Sequence, residues 1–234
     1  MTRTTIAALA LCALSASTLA NVVYSDGTFN NADWGFETVI VGTGGSANAS
    51  QSAATGNPGS ARRSNISTGP TVGDGTYAIH RYGTSLATRY VASTQGAIAS
   101  INFSIDARFV TGTFTGAGQG VYAQAKQGTN IYIAYIGVTG SSGSWTTLSD
   151  TGILASDFIQ IAGTTTPIDF STAGAPLRFG FASANGNGGS PYSTTVDFDN
   201  FNLEVITVPA PAASAVAMLG ATTLLRRRRT YHRA

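Results

Sequence analysis

Ile101-Asn102-Phe103-Ser104-Ile105-Asp106-Ala107-Arg108-Phe109 is the stretch that decides the fold. Ile101, Phe103, Ile105, Ala107 and Phe109 alternate with Asn102, Ser104, Asp106 and Arg108. Successive side chains of a strand point to opposite faces, so this pattern describes a strand with one face buried and one wet. Leu177-Arg178-Phe179-Gly180-Phe181 repeats it with Leu177, Phe179 and Phe181 inward, and Val121 to Lys126 alternates small apolar with polar residues. Phe36 to Val41, Thr76 to Tyr82, Ala87 to Val91 and Ile131 to Val138 read as further strands. The last is apolar on both faces, as in a central strand. Glycine-rich turns separate these runs at the spacing of an all-β, two-sheet antiparallel sandwich. Ser46 to Ser60 (SANASQSAATGNPGS) reads as a long polar loop.

The segment Thr195 to Val205 (TVDFDNFNLEV) closes the body. Val196 and Phe198 share one face, and Phe201, Leu203 and Val205 share one face. The step from 198 to 201 is three, so a single face stays buried only if an extra residue sits at Asp199-Asn200, which predicts a β-bulge. This closing strand, the glycine-rich loop Asn185 to Ser190 before it, the hairpin at Trp145 and Phe179-Gly180-Phe181 together resemble concanavalin A-like or laminin-G-like jelly rolls. The resemblance implies two curved antiparallel sheets, an architecture in which carbohydrate binding is common but not entailed.

Two address labels are expected around this body. Arg3, the uncharged run Ile6 to Leu14 and small residues at Thr18 and Ala20 have the layout of a secretory signal peptide, residues 1–20, with cleavage between Ala20 and Asn21. Leu11 before Cys12 argues against lipidation. At the other end, residues 208–234 read VPAPAASAVAMLGATTLLRRRRTYHRA. Ala212 to Leu225 carries no charge, and Arg226, Arg227, Arg228 and Arg229 follow as a stop that stays on the cytoplasmic side. A helix of that length spans about 21 Å at 1.5 Å per residue, short of the ~30 Å hydrocarbon core. The body is thus expected to be flanked by an N-terminal signal helix and a C-terminal hydrophobic helix. The tail resembles the PEP-CTERM class of bacterial sorting signals on Val208, Pro209, Pro211, the apolar run and the arginine cluster, with Ala210 where that class implies Glu. That resemblance implies processing by signal peptidase and an exosortase-type membrane protease. It also implies export through the inner membrane, transient anchoring, and a final place at the cell surface or outside the cell.

The single cysteine, Cys12, lies in the segment expected to be removed, so residues 21–207 form one domain without a disulfide or a thiolate metal site. The formal charge of +2 comes from the ends. Within the body seven cations (Arg62, Arg63, Arg81, Arg89, Arg108, Lys126, Arg178) face all eleven acids, a net charge of −4. Nucleic-acid binding, which needs clustered cations against phosphate, has no compositional support.

Catalysis has little footing. His80 is the only body histidine and is expected to face solvent on its strand. Asp197 and Asp199 are two apart, but the bulge inferred at Asp199-Asn200 breaks the shared face that a carboxylate pair needs. Asp26, Asn30, Asn31 and Asp33 near the first strand, with Asp199 and Asn200 at the bulge, offer the oxygen ligands Ca²⁺ prefers. The same residues serve equally as an Asp26-Gly27 turn and a bulge cap. Trp34 and Trp145, with Tyr82, Tyr90, Tyr122 and Tyr192, are the aromatics available to stack on sugars, or to pack. Asn48, Asn65 and Asn102 head Asn-x-Ser triplets to which no function is attached. The expectation is a non-enzymatic structural or adhesive protein of the cell surface or extracellular matrix. The alternative is a lectin-like module for exopolysaccharide or other glycans; no cofactor is expected, unless Ca²⁺ assists that binding.

Overall fold

The computed structural model describes residues 21–113 and 118–208. The expected signal and tail helices, with Ala20, Pro209, Pro211 and Arg226 to Arg229, lie outside the described residues. Among the described residues no helix is long and apolar enough to cross a membrane.

Two antiparallel sheets form a sandwich. The first has the order β3 (Ser46–Gly56), β4 (Gly59–Ser67), β12 (Ser193–Thr207), β6 (Ile98–Gly112), β9 (Thr146–Ile153), with β1 (Val22–Asp26) also on β12. The second has the order β10 (Ile159–Ala162), β8 (Asn130–Thr139), β7 (Gln119–Gln127), β11 (Leu177–Gly186), β5 (Gly75–Tyr82), β2 (Trp34–Val41). The stretch Ile101 to Phe109 lies in β6, with Ile101, Phe103, Ile105 and Ala107 buried between the sheets. Its fifteen-residue partner β12 is paired along one edge with β6; its other edge is shared, Ser193 to Phe198 with β4 and Phe201 to Val205 with β1. The bulge sits at that hand-over. The register slips between Asp199 and Asn202, Asn200 takes φ 50°, and Val196, Phe198, Phe201, Leu203 and Val205 all face the core. Between the sheets the rings of Trp34, Phe181, Phe198 and Phe201 meet at centroid distances of 4.9–6.2 Å. Each fully buried Phe contributes roughly 1.5–3 kcal/mol of apolar burial.

Two local expectations need correction. Ser46 to Ser60 is an edge hairpin, β3 and β4, rather than a loop. β3 alternates Ala47 and Ala49 with Asn48 and Ser50, so it lacks the large apolar side chains that betray a strand. Ala87 to Val91 holds a short 3₁₀ turn, Leu86–Thr88, and a single bridge from Tyr90 to Leu177. β8 is one strand in from the edge, beside the short β10. Its double-sided apolarity is real, because Ile131, Tyr132, Ile133 and Ala134 are all buried. Something therefore covers the outer face of the second sheet.

Candidate functional site

That cover is the sheet itself. Pairing registers align Ile133, Gln124, Gly180, Arg81 and Gly35 in one row across β8, β7, β11, β5 and β2. The next row is Tyr135, Tyr122, Ala182, Ile79 and Glu37. The central strand β11 presents only Gly180, Ala182 and Ala184 to this face among its middle residues, so no bulk resists curling. A Cβ on Gly180 would lie 1.9 Å from the His80 carbonyl oxygen, which records how closely β11 and β5 approach. The edge strands β10 and β2 come within 8 Å of each other, Cα to Cα. The outer face is thus a trough, with Ile79, Ile131, Ile133 and Ala182 buried along it and Val39, Tyr77, Tyr122 and Ile161 packed beside them.

Three tyrosines run through this face. The Tyr122 ring lies 6.3 Å from that of Tyr77 and 5.6 Å from that of Tyr135, which is 59% exposed. Polar groups stand next to them. Glu37 pairs with Arg81 and, at 3.1 Å, with Lys126. Lys126 is on β7 and Glu37 on β2, three strand steps and about 14 Å apart in a flat sheet, so their contact is a product of the curl. Burial pushes the Glu37 carboxyl up, but the Arg81 and Lys126 cations outweigh it and hold it below its ordinary range. Gln124, between Tyr122 and Lys126 on the same strand face, is fully buried with neither amide atom partnered. At the end of the trough, Arg81, Arg89, Lys126, Arg178, Gly128 and Pro176 line a cavity of about 270 Å³.

The residues singled out from sequence are distributed differently. Trp34 is only 4% exposed, stacked 5.1 Å from Phe29, with its Nε1 donating to Asp26 at 2.7 Å, so its faces are closed to a sugar. Trp145 is half-buried beside the first sheet, with the Arg108 guanidinium 4.7 Å from its ring centroid. Tyr82 and Tyr90 pack in the core, and Tyr192 donates to the Gly186 carbonyl at 3.0 Å. Of the expected aromatics only Tyr122 lies on the trough. Tyr77 and Tyr135 were missed. The available signal was the alternation of Thr76 to Tyr82, which puts Tyr77, Ile79 and Arg81 on one face. That alternation was ambiguous because both faces of β5 are covered. For the same reason His80 points inward, stacked on Phe181 at 4.2 Å and fully buried, rather than to solvent. Burial, with the Arg62 charge adding to it, pulls its pKa well below 6.5.

Of the expected Ca²⁺ ligands, Asp26 and Asn200 are brought together where β1 meets β12 and line one cavity, with Asp199 near enough to feel the Asp26 charge. Asp26 already accepts from Thr28 N at 2.6 Å, Thr28 Oγ1 at 2.8 Å, Phe29 N at 3.1 Å and Trp34 Nε1 at 2.7 Å. Asp33 is exposed. Among the described residues no three Asp, Glu, His or Cys side chains are placed to hold a metal ion. Asp199 accepts from Asn200 N at 2.7 Å and from Asn57 N, and Asn200 Nδ2 donates to Asn57 O and Asp106 Oδ2, both at 2.8 Å. This network fastens the Asn57 turn onto the bulge. Burial raises the Asp199 pKa, and the Asp106 and Asp26 charges add to it. Asp197 cannot serve as one of a catalytic pair, because Arg63 grips both its oxygens at 2.7 and 2.9 Å and Arg108 takes one at 2.9 Å. Asn65 bonds Asn48 at 2.8 Å and Asn102 bonds Glu204 at 2.9 Å, so both are structural contacts of the first sheet.

No protein-family model matches the chain. No curated protein matches it either. Solved structures similar to it include the Family 11 carbohydrate-binding module of cellulosomal cellulase Lic26A-Cel5E of Clostridium thermocellum, at 13% identity and TM-score 0.44, covering 81% of this chain and 96% of that one. The same module in complex with a β-1,3-1,4-mixed-linked tetrasaccharide gives 13% identity and TM-score 0.45, covering 83% and 100%. The CBM22-1 xylan-binding domain of Paenibacillus barcinonensis Xyn10C gives 10% identity and TM-score 0.38, covering 84% and 99%. Likenesses this distant carry no ligand or residue role across to this chain.

Proposed function

We propose that the body is a non-catalytic carbohydrate-binding module of an exported cell-surface or extracellular-matrix protein, with the glycan on the outer face of the second sheet. The observation that carries this reading is the run Tyr77, Tyr122, Tyr135 beside the Glu37, Arg81 and Lys126 cluster. A sugar ring offers apolar C–H faces and a rim of hydroxyls. A site for it needs aromatic surface together with a few fixed donors and acceptors, the composition expected of a small-molecule pocket. Tyrosine supplies both an apolar ring and a polar tip. The ion-paired Glu37 stays charged at neutral pH and is a strong acceptor for hydroxyls. An adhesive role needs binding without chemistry, in keeping with a body whose single histidine is enclosed in the core.

The test is a set of binding isotherms of the protein against soluble polysaccharides. Tyr135→Ala is expected to weaken the best ligand at least tenfold, about 1.4 kcal/mol. Trp145→Ala is expected to leave it unchanged. The reverse pattern, loss with Trp145→Ala and none with Tyr135→Ala, would move the site to the first sheet.

A further inference from the structure

We propose that the cavity at the end of the trough is a subsite for an anionic sugar unit, taking the carboxylate, sulfate or phosphate group of an acidic glycan. This deepens, and rests on, the glycan-binding reading of the same face. Four of the body's seven cations, Arg81, Arg89, Lys126 and Arg178, line this one cavity of about 270 Å³. A single carboxylate, Glu37, answers them, bound to Arg81 and Lys126. Arg89 and Arg178 have no carboxylate partner among the described residues, and Arg178 reaches only the Thr84 and Ser85 carbonyls at 3.4 Å. Counting these five groups, the cavity holds a net charge of +3 inside a body of −4.

The arrangement is held against its own repulsion. Burial lowers the Arg178 pKa, and the neighbouring Arg89 and Arg81 lower it further. Guanidinium groups bind oxyanions through paired N–H donors, so one such group in the cavity relieves the repulsion and gains charge-assisted hydrogen bonds. The volume is just under the roughly 300 Å³ at which drug-sized sites begin, enough for one charged substituent with part of its ring and too little for a chain segment. A nucleic-acid strand is a poor fit for a second reason. It needs a track of cations, and the three remaining ones are committed, Arg63 and Arg108 to Asp197 and Arg62 to the core. The cavity and the tyrosines share one sheet face: Lys126, Gln124 and Tyr122 alternate along β7. A glycan with its anionic unit on Arg89 and Arg178 therefore has its next, neutral rings directed toward the tyrosines.

The experiment compares the full chain with polygalacturonate, a sulfated galactan, a neutral mixed-linkage glucan and inorganic sulfate, each at ~50 and ~500 mM salt, which spans strong and weak screening. The expected result is at least tenfold tighter binding of one acidic polymer than of the neutral one, lost at high salt. Arg89→Ala/Arg178→Ala should bring acidic binding down to the neutral level, and Arg178→Lys should keep part of it. Tyr135→Ala should weaken acidic and neutral polymers alike. Melting temperatures of all variants confirm that they fold. Equal binding of neutral and acidic polymers, both sensitive to Tyr135, overturns the anionic subsite and leaves the glycan reading standing. Binding of inorganic sulfate through Arg178, with no polysaccharide bound, overturns the glycan reading and the sugar assignment together.

Discussion

At the residue scale the most exacting environment surrounds Arg62. It is 2% exposed and has no carboxylate partner among the described residues; Nη1 donates to Asn31 Oδ1 at 2.7 Å and Nε to His80 Nδ1 at 3.4 Å. Burial brings its pKa down to about 10, so it remains charged at neutral pH. His80 must then stay neutral, since a second cation there would be enclosed with the first. The sign follows from linkage. A histidine whose folded pKa is depressed leaves stability complete above its unfolded value of 6.5, and stability falls as the pH drops below that. The loss from this group approaches about 1.4 kcal/mol per pH unit below 6.5 until the depressed pKa is reached. His80→Gln keeps an acceptor for Arg62 and cannot titrate, so its melting temperature between pH 7.5 and 5.5 should be flatter than the wild type's. Identical pH profiles for the two proteins would remove His80 as the cause. None of this was legible in Tyr77-Ala78-Ile79-His80-Arg81-Tyr82. The alternation permits either face inward, and only the curl of the sheet decides.

At the element scale β12 shows what a sequence pattern can and cannot carry. The three-residue step from Phe198 to Phe201 required an extra residue, and the bulge sits at that step because the strand exchanges β4 for β1 there. Large apolar side chains on one face made β6 and β12 readable. β3 was not, since an edge strand built on Ala47 and Ala49 buries too little to leave a periodic signal. β5 and β8 were readable as strands, but covering both faces erases the polar side that would have marked Tyr77 and Tyr135 as residues of the trough. For β12 the consequence is measurable by urea unfolding. Phe201→Ala should cost roughly 3–5 kcal/mol, as expected for emptying a core Phe site packed against Trp34 and Phe103. Asn202→Ala, exposed on the opposite face, should stay within about 0.5 kcal/mol. Similar costs for both would mean that the bulge does not restore the inward register.

At the scale of the whole molecule, charge and topology divide the chain in the same place. The basic ends lie outside residues 21–208, and the acidic body between them assembles its aromatic core from Tyr24, near its start, to Phe201, near its end. Both margins of the body are tied into the sandwich. Asn21 Nδ2 donates to Glu204 at 2.9 Å, and Val208 N donates to the Ala97 carbonyl at 2.8 Å. A cut after Ala20, with a second expected near Val208 to Ala213, thus leaves every strand of the described residues and its pairing intact. With no cysteine in the body no disulfide contributes, and residues 21–208, 188 in all, are enough chain for one cooperative core. Residues 21–208 produced alone should therefore unfold in a single transition, with a midpoint within about 2 °C of the full chain's, a shift worth at most about 1 kcal/mol at this size. Mass spectrometry of the protein recovered from the cell surface or medium should find Asn21 at the N-terminus and no peptide containing Arg226 to Arg229. Recovery of that arginine cluster in the exported protein would replace the sorting signal by a permanent anchor, whereas a body that fails to fold alone would make the tail part of the fold.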